Sequence, residues 1–259
     1  MPTLRPQPQQ KETTMKSTLT HPIAGFIYLL LFWYIAIWLL SPFIPFIHAF
    51  SPDIAIRTVF SLIADKGIWL HLFSSIKRIA AGLMIALLIG IPIGLIVGVS
   101  PAFERLTGGV FQYLRMISPL SLMPIAVMIF GIGDLPIIAL IAFACVWSLI
   151  INTATGVKKI DPNYLALGKS LNATKSETLR HIILPATIGD MLTGLRISLG
   201  VAWVVLVPCE MLGVSSGLGY FILDTRDRLS YNELAAAIVI IGIIGWTLDS
   251  MARYICRKQ

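Results

Sequence analysis

Six times between Pro22 and Arg253 the chain enters an apolar run long enough to cross a lipid bilayer, which takes roughly 20 residues. The runs are 22–43, 77–99, 109–130, 135–156, 185–211 and 233–253. A spanning segment must satisfy its own backbone hydrogen bonds, so each is expected to be a helix and the fold class all-α. Composition agrees. Of 259 residues, 56% are hydrophobic and 13% charged, about half the charge of an ordinary soluble domain. That excludes a cytosolic enzyme and a disordered chain.

The formal net charge is +7, and its placement sets the expected orientation. With the N-terminus inside, Arg5, Lys11, Lys16, Arg105, Lys158, Lys159, Lys169, Lys175, Arg180, Arg253, Arg257 and Lys258 lie on the inner side. The outer side holds Arg57, Lys66, Arg226 and Arg228. This positive-inside bias puts both termini in the cytoplasm and explains the basic charge without nucleic acid. Residues 1–21 read as a disordered cytoplasmic tail without a cleavable signal, with Met15 as a second possible start. Residues 22–68 read as the first span plus an outer amphipathic segment, 69–253 as the core, and 254–259 as a basic cytoplasmic tail.

Inside the spans, Gly90, Gly94 and Gly98 form overlapping GxxxG patterns that let a neighbouring helix approach closely. Pro119 and Pro124 should kink the third span. Ionisable residues at membrane depth carry a functional expectation. Arg115, Arg196 and Glu210 are candidates for a translocation path; the alternative for Arg196 is a pair with Asp190 or Glu210. Asp249 reads as structural. Ser215, Ser216, Gly217, Leu218 and Gly219 make a flexible outer stretch that could act as a gate, followed by Asp224, Arg226, Asp227 and Arg228. Cys145, Cys209 and Cys256 have no metal or redox spacing, and no metal site is expected.

The most charged internal connector, 158–183, reads as a helix, a turn and a second helix. Asp161 is an N-cap with Pro162 at the first helical position. Asn172 can take the left-handed conformation that ends a helix. Thr174-Lys175-Ser176-Glu177 is a capping box. An ordered connector of this kind suits docking to a cytoplasmic partner. Gly168-Lys169-Ser170 imitates the end of a phosphate-binding loop, but Asn163 stands where that loop needs glycine.

The connector resembles the cytoplasmic loop of ABC importer permeases: Glu-Ala-Ala, three residues, Gly, nine residues, Ile, any residue, Leu-Pro. Ala166-Leu167-Gly168 stand in the Glu-Ala-Ala place and Asn172 in the Gly place, so the Glu is absent. Ile182, Leu184 and Pro185 match at the right spacing. The resemblance runs over about residues 70–252. It includes Ser75-Ile76-Lys77-Arg78-Ile79-Ala80-Ala81-Gly82, Val146-Trp147-Ser148-Leu149-Ile150-Ile151-Asn152-Thr153 and Thr193-Gly194-Leu195-Arg196-Ile197-Ser198-Leu199-Gly200. Glu210-Met211-Leu212 and Ser216-Gly217-Leu218-Gly219-Tyr220 are similar to the nitrate, sulfonate, taurine and bicarbonate branch.

The resemblance implies a type I permease subunit in a bacterial inner membrane, working as a homodimer and not itself an enzyme. It implies docking of one ABC ATPase per subunit through Leu165, Ala166, Leu167, Gly168, Lys169, Ser170, Leu171, Asn172, Ala173, Thr174 and Lys175. ATP and Mg would sit on that partner, with no cofactor in this chain. An extracytoplasmic solute-binding protein would deliver a small oxyanion, with nitrate first because Ile150–Thr153 and Gly156–Lys159 look nitrate-like. Sulfonate, taurine and bicarbonate are the alternatives. A stand-alone secondary anion carrier should show an internal hydropathy repeat, which is missing. A membrane enzyme should cluster ionisable residues, whereas His21, His48, His71 and His181 are scattered.

Overall fold

The computed structural model describes residues 11–257 and consists of helices. The order is α1 (Lys11–Leu40), a 3-10 turn (Pro45–Phe50), α2 (Pro52–Ala64), α3 (Lys66–Val99), α4 (Pro101–Met116), a 3-10 turn (Pro119–Leu122) and α5 (Met123–Phe130). Then come α6 (Asp134–Lys158), α7 (Pro162–Ser170), α8 (Lys175–Thr178), a π turn (Leu179–Ile183), α9 (Leu184–Gly213), α10 (Leu218–Asp227) and α11 (Tyr231–Arg257).

Glycines set the packing of α3 on α6. A Cβ at Gly82 would meet Ile141, at Gly90 Leu149, at Gly94 Thr153 and at Gly98 Val157. Both series ascend together, so the two helices run parallel. The expected small-residue face therefore exists, and α6 is its partner. α9 returns antiparallel to α6. Gly194 approaches Asn152, and Gly156 approaches Asp190. Cys145 and Ser198 tie the same pair together, the Cys145 thiol donating to the Ser198 carbonyl and the Ser198 hydroxyl to the Cys145 carbonyl. The core between these helices includes Ile79, Leu83, Ile137, Ile141, Leu149, Ala202 and Leu206.

A second cluster sits at the far end of the bundle. Val59 and Leu62 of α2 pack with Leu218 and Phe221 of α10 and Ala236, Ala237 and Ile240 of α11. Pro52, Ala55, Val59 and Leu62 form the buried stripe of α2. The amphipathic segment expected after the first span is thus a helix lying on α11.

Four helices among the described residues are long and apolar enough to span a membrane: 66–99, 134–158, 175–213 and 231–254. The expected third span is corrected. It is not one helix, because α4 and the Pro119–Phe130 segment meet at an 83° bend. Ile117 and Ser118 are extended there, and a residue preceding proline is pushed out of the α region. α3 and α6 run parallel, so this broken pair must return the chain between them. The Ala24–Leu40 part of α1 is a shorter apolar stretch.

Three boundaries also differ. α1 starts at Lys11, so residues 11–21 are helical where a disordered tail was expected; residues 1–10 lie outside the described residues. α3 begins at Lys66, before the expected 68/69 boundary, with the Asp65 side chain accepting from the Gly67 N–H as its cap. α11 continues through Arg257, so most of the expected basic tail is helical, and 258–259 are outside the described residues.

Candidate functional site

The connector after α6 is built as its local chemistry dictates. Asp161 caps α7 by accepting from the Asn163 N–H at 2.9 Å. α7 ends in a Schellman turn: the Ala173 N–H donates to the Gly168 carbonyl and the Asn172 N–H to that of Lys169. Asn172 is left-handed, with φ 54°. Thr174 and Glu177 then cap each other reciprocally, opening α8. The π turn Leu179–Ile183 runs straight on into α9. Where α6 leads into this unit, two ion pairs tie its end to its neighbours, Lys158 with Glu104 of α4 and Lys159 with Asp190 of α9.

Tyr164, Leu167 and Leu171 stand 62%, 57% and 72% exposed at helical spacing on one side of this unit. Gly168 is buried, and a Cβ there would press on Ile182. It serves the packing of α7 and belongs to no phosphate loop. Leu165 and Ala173 are half-buried, while Ala166, Lys169, Ser170, Thr174 and Lys175 are exposed. The unit is a stiff polar platform carrying a bare apolar stripe.

At the opposite end, Arg78 and Glu210 form a buried pair, 2% and 0% exposed, with Nη1 donating to Oε1 at 2.6 Å. Arg78 Nη1 also donates to the Ser216 carbonyl at 2.7 Å, and Nη2 to the Ser216 hydroxyl at 3.0 Å. Nε and Nη2 donate to Asp134 Oδ1 at 2.9 and 2.7 Å. Glu210 further accepts from the Ser75 hydroxyl and from the Gly219 N–H at 2.9 Å. Ser75 in turn accepts from the Leu218 N–H, and His71 Nδ1 from the Gly217 N–H.

Glu210 therefore presents no surface to a path; its carboxylate is consumed inside the protein. The stretch 215–219, expected as flexible backbone, is held by four of its residues. Arg196 pairs with Asp249 of α11 at 3.3 Å, not with Asp190 or Glu210. Arg115 is exposed in the last turn of α4, beside the break. Arg78, Ser75 and Asp134 carry roles that spacing alone did not reveal. The readable signal was His71, Ser75 and Arg78 at i, i+4 and i+7, three polar side chains on one face of an apolar helix. A cleft of about 490 Å³ lies between α3, α4, α5 and α6. Ile85, Ile89, Phe130, Ile138, Phe143 and Trp147 are among its apolar lining, which offers no cation to an anion.

These features define a multi-pass helical bundle with an ordered connector that carries a bare apolar stripe. Residues 90–258 match the family of binding-protein-dependent transport system inner membrane components, and the chain belongs to it. It is a type I ABC importer permease of the nitrate, bicarbonate, taurine and sulfonate branch. It is 35% identical over 195 residues to the bicarbonate transport system permease protein CmpB of Synechococcus elongatus, covering 74% of this chain and 70% of that one. Against the nitrate import permease NrtB of Leptolyngbya laminosa it is 32% identical, covering 75% and 70%. Against the taurine transport system permease TauC of Escherichia coli the figures are 34%, 75% and 70%. The fold matches an inward-facing structure of the MetNI methionine ABC transporter with TM-score 0.63 at 14% identity, covering 74% of this chain and 96% of that one. It also matches a bacterial alginate ABC transporter with TM-score 0.63 at 13% identity, covering 96% of each chain.

Proposed function

We propose that the chain is the permease of an ATP-driven importer of a small oxyanion or sulfonate in a bacterial inner membrane. Two copies assemble, each docking one ABC ATPase through residues 165–175. ATP and Mg are bound and used on that partner. A solute-binding protein delivers the solute from outside. Nitrate, bicarbonate and taurine are the solutes to try, since relatives named for each are 32–35% identical to this chain.

The observation that carries the docking assignment is the stripe of Tyr164, Leu167 and Leu171. Three large apolar side chains left bare on one side of a capped helical connector form a patch of the kind that marks a protein–protein contact. Arg115, exposed beside the α4–α5 break, is the residue we place nearest the path.

The test is co-purification from detergent-solubilised membranes, comparing wild type with the double variant Leu167→Asp, Leu171→Asp. Wild type brings down an ABC ATPase and the variant loses it, while the variant still behaves as a folded monodisperse protein. If wild type brings down no ATPase, yet vesicles containing it alone accumulate nitrate, bicarbonate or taurine, a secondary carrier replaces this reading.

A further inference from the structure

The Arg78 cluster joins four separate pieces of chain. Ser75 and Arg78 come from α3, Asp134 from the first turn of α6, Glu210 from the last turn of α9, and Ser216 to Gly219 from the link into α10. All five N–H donors of the guanidinium are used. A planar fork can serve acceptors on three elements at once, which an ammonium cannot.

The link also has no slack. A Cβ at Gly217 would run into Glu210 and Arg78, and one at Gly219 into the Val207 carbonyl and Glu210. Separating the pair would strand a charge in a low-dielectric interior, which is strongly destabilising. Meanwhile α6, about 37 Å long at 1.5 Å per residue, ends in two ion pairs that tie its C-terminal end to α4 and α9 just before the platform. α6 and α9 each have one end at the platform and the other in the Arg78 cluster.

We propose that Arg78 is a positioning residue for transport: its guanidinium clasps α3, α6, α9 and the 214–217 link into one body. The clasp stays shut through the cycle, so a push applied at the platform turns the whole body instead of being absorbed by splaying at its far end. The stretch 215–219 is then a brace and not a gate. This rests on the permease reading above.

The test uses the reconstituted transporter with its ATPase and a solute-binding protein, and nitrate, bicarbonate and taurine as probes. Arg78→Lys keeps the charge and loses the fork; Glu210→Gln keeps the shape and loses the charge. Both should co-purify the ATPase at wild-type yield and hydrolyse ATP, while solute moved per ATP falls by about tenfold. Wild-type coupling in Arg78→Lys overturns the proposal, as does failure of both variants to assemble. A second measurement needs neither variant. Spin labels at Ser215→Cys and Leu135→Cys, in a chain with Cys256→Ser, should keep one separation with and without ATP. A change of more than about 5 Å, one helical turn, would mean that the clasp opens and the brace is a gate. A wild type that moves none of the three solutes and binds no ATPase would instead sink the permease reading itself.

Discussion

Asn172 shows how far a single residue can be read from sequence. Its φ of 54° closes α7, a conformation that costs an ordinary L-residue about 1–2 kcal/mol. Asn172→Gly should therefore leave the platform intact or firm it. Asn172→Val should lower thermal stability in detergent and weaken ATPase co-purification. Equal behaviour of the two variants would mean that the turn does not hold the platform. Asp161, Pro162, Thr174 and Glu177 were legible for the same reason, since each acts on a backbone group within three positions. Arg78 was not legible in this way. Its acceptors lie 56, 132 and 138 positions away, and nothing local marks a residue as the partner of one so distant.

Among the elements, α3 was expected to present a glycine face, and it does so; the sequence could not say that α6 fills it, nor that the two run parallel. The register makes a paired prediction. At Gly94 a Cβ would sit 2.7 Å from Thr153 Cβ and 2.8 Å from the Ile150 carbonyl oxygen, so Gly94→Leu overpacks the α3–α6 seam. It should destabilise the protein by about 1–3 kcal/mol, read as a lower midpoint of thermal unfolding in detergent. Gly108 of α4 has nothing within 4 Å of its Cβ position. Gly108→Ala should be neutral or stabilise by about 0.5–1 kcal/mol through helix propensity. Equal losses at both sites would contradict this seam. The α4–α5 break was half legible. Pro119 announced a kink, but the 83° angle also needs Ile117 extended, which no residue type at that position dictates.

For the whole molecule, the directions of α3, α6, α9 and α11 place two surfaces at opposite ends. Lys158, Lys159 and the platform lie at one end, with Asp249 and Arg253 at the near end of α11. Asp134, Glu210 and the start of α10 lie at the other. α6 alone, at about 37 Å, exceeds the roughly 30 Å hydrocarbon core of a bilayer. The outward side chains of these helices, such as Leu88, Val204 and Trp246, are bare and apolar, as lipid or a second copy requires. On the positive-inside count the platform is expected on the cytoplasmic side. A membrane-impermeant maleimide tests this directly. Cys145 and Cys209 are fully buried, so Cys256→Ser leaves a quiet background. In that chain, Asp227→Cys should label in intact cells and Ser170→Cys only after permeabilisation. If Ser170→Cys labels from outside, the platform cannot meet a cytoplasmic ATPase and the docking assignment falls with the topology. If both label from outside, the two ends of the bundle are not separated by a membrane, and α6 does not span it.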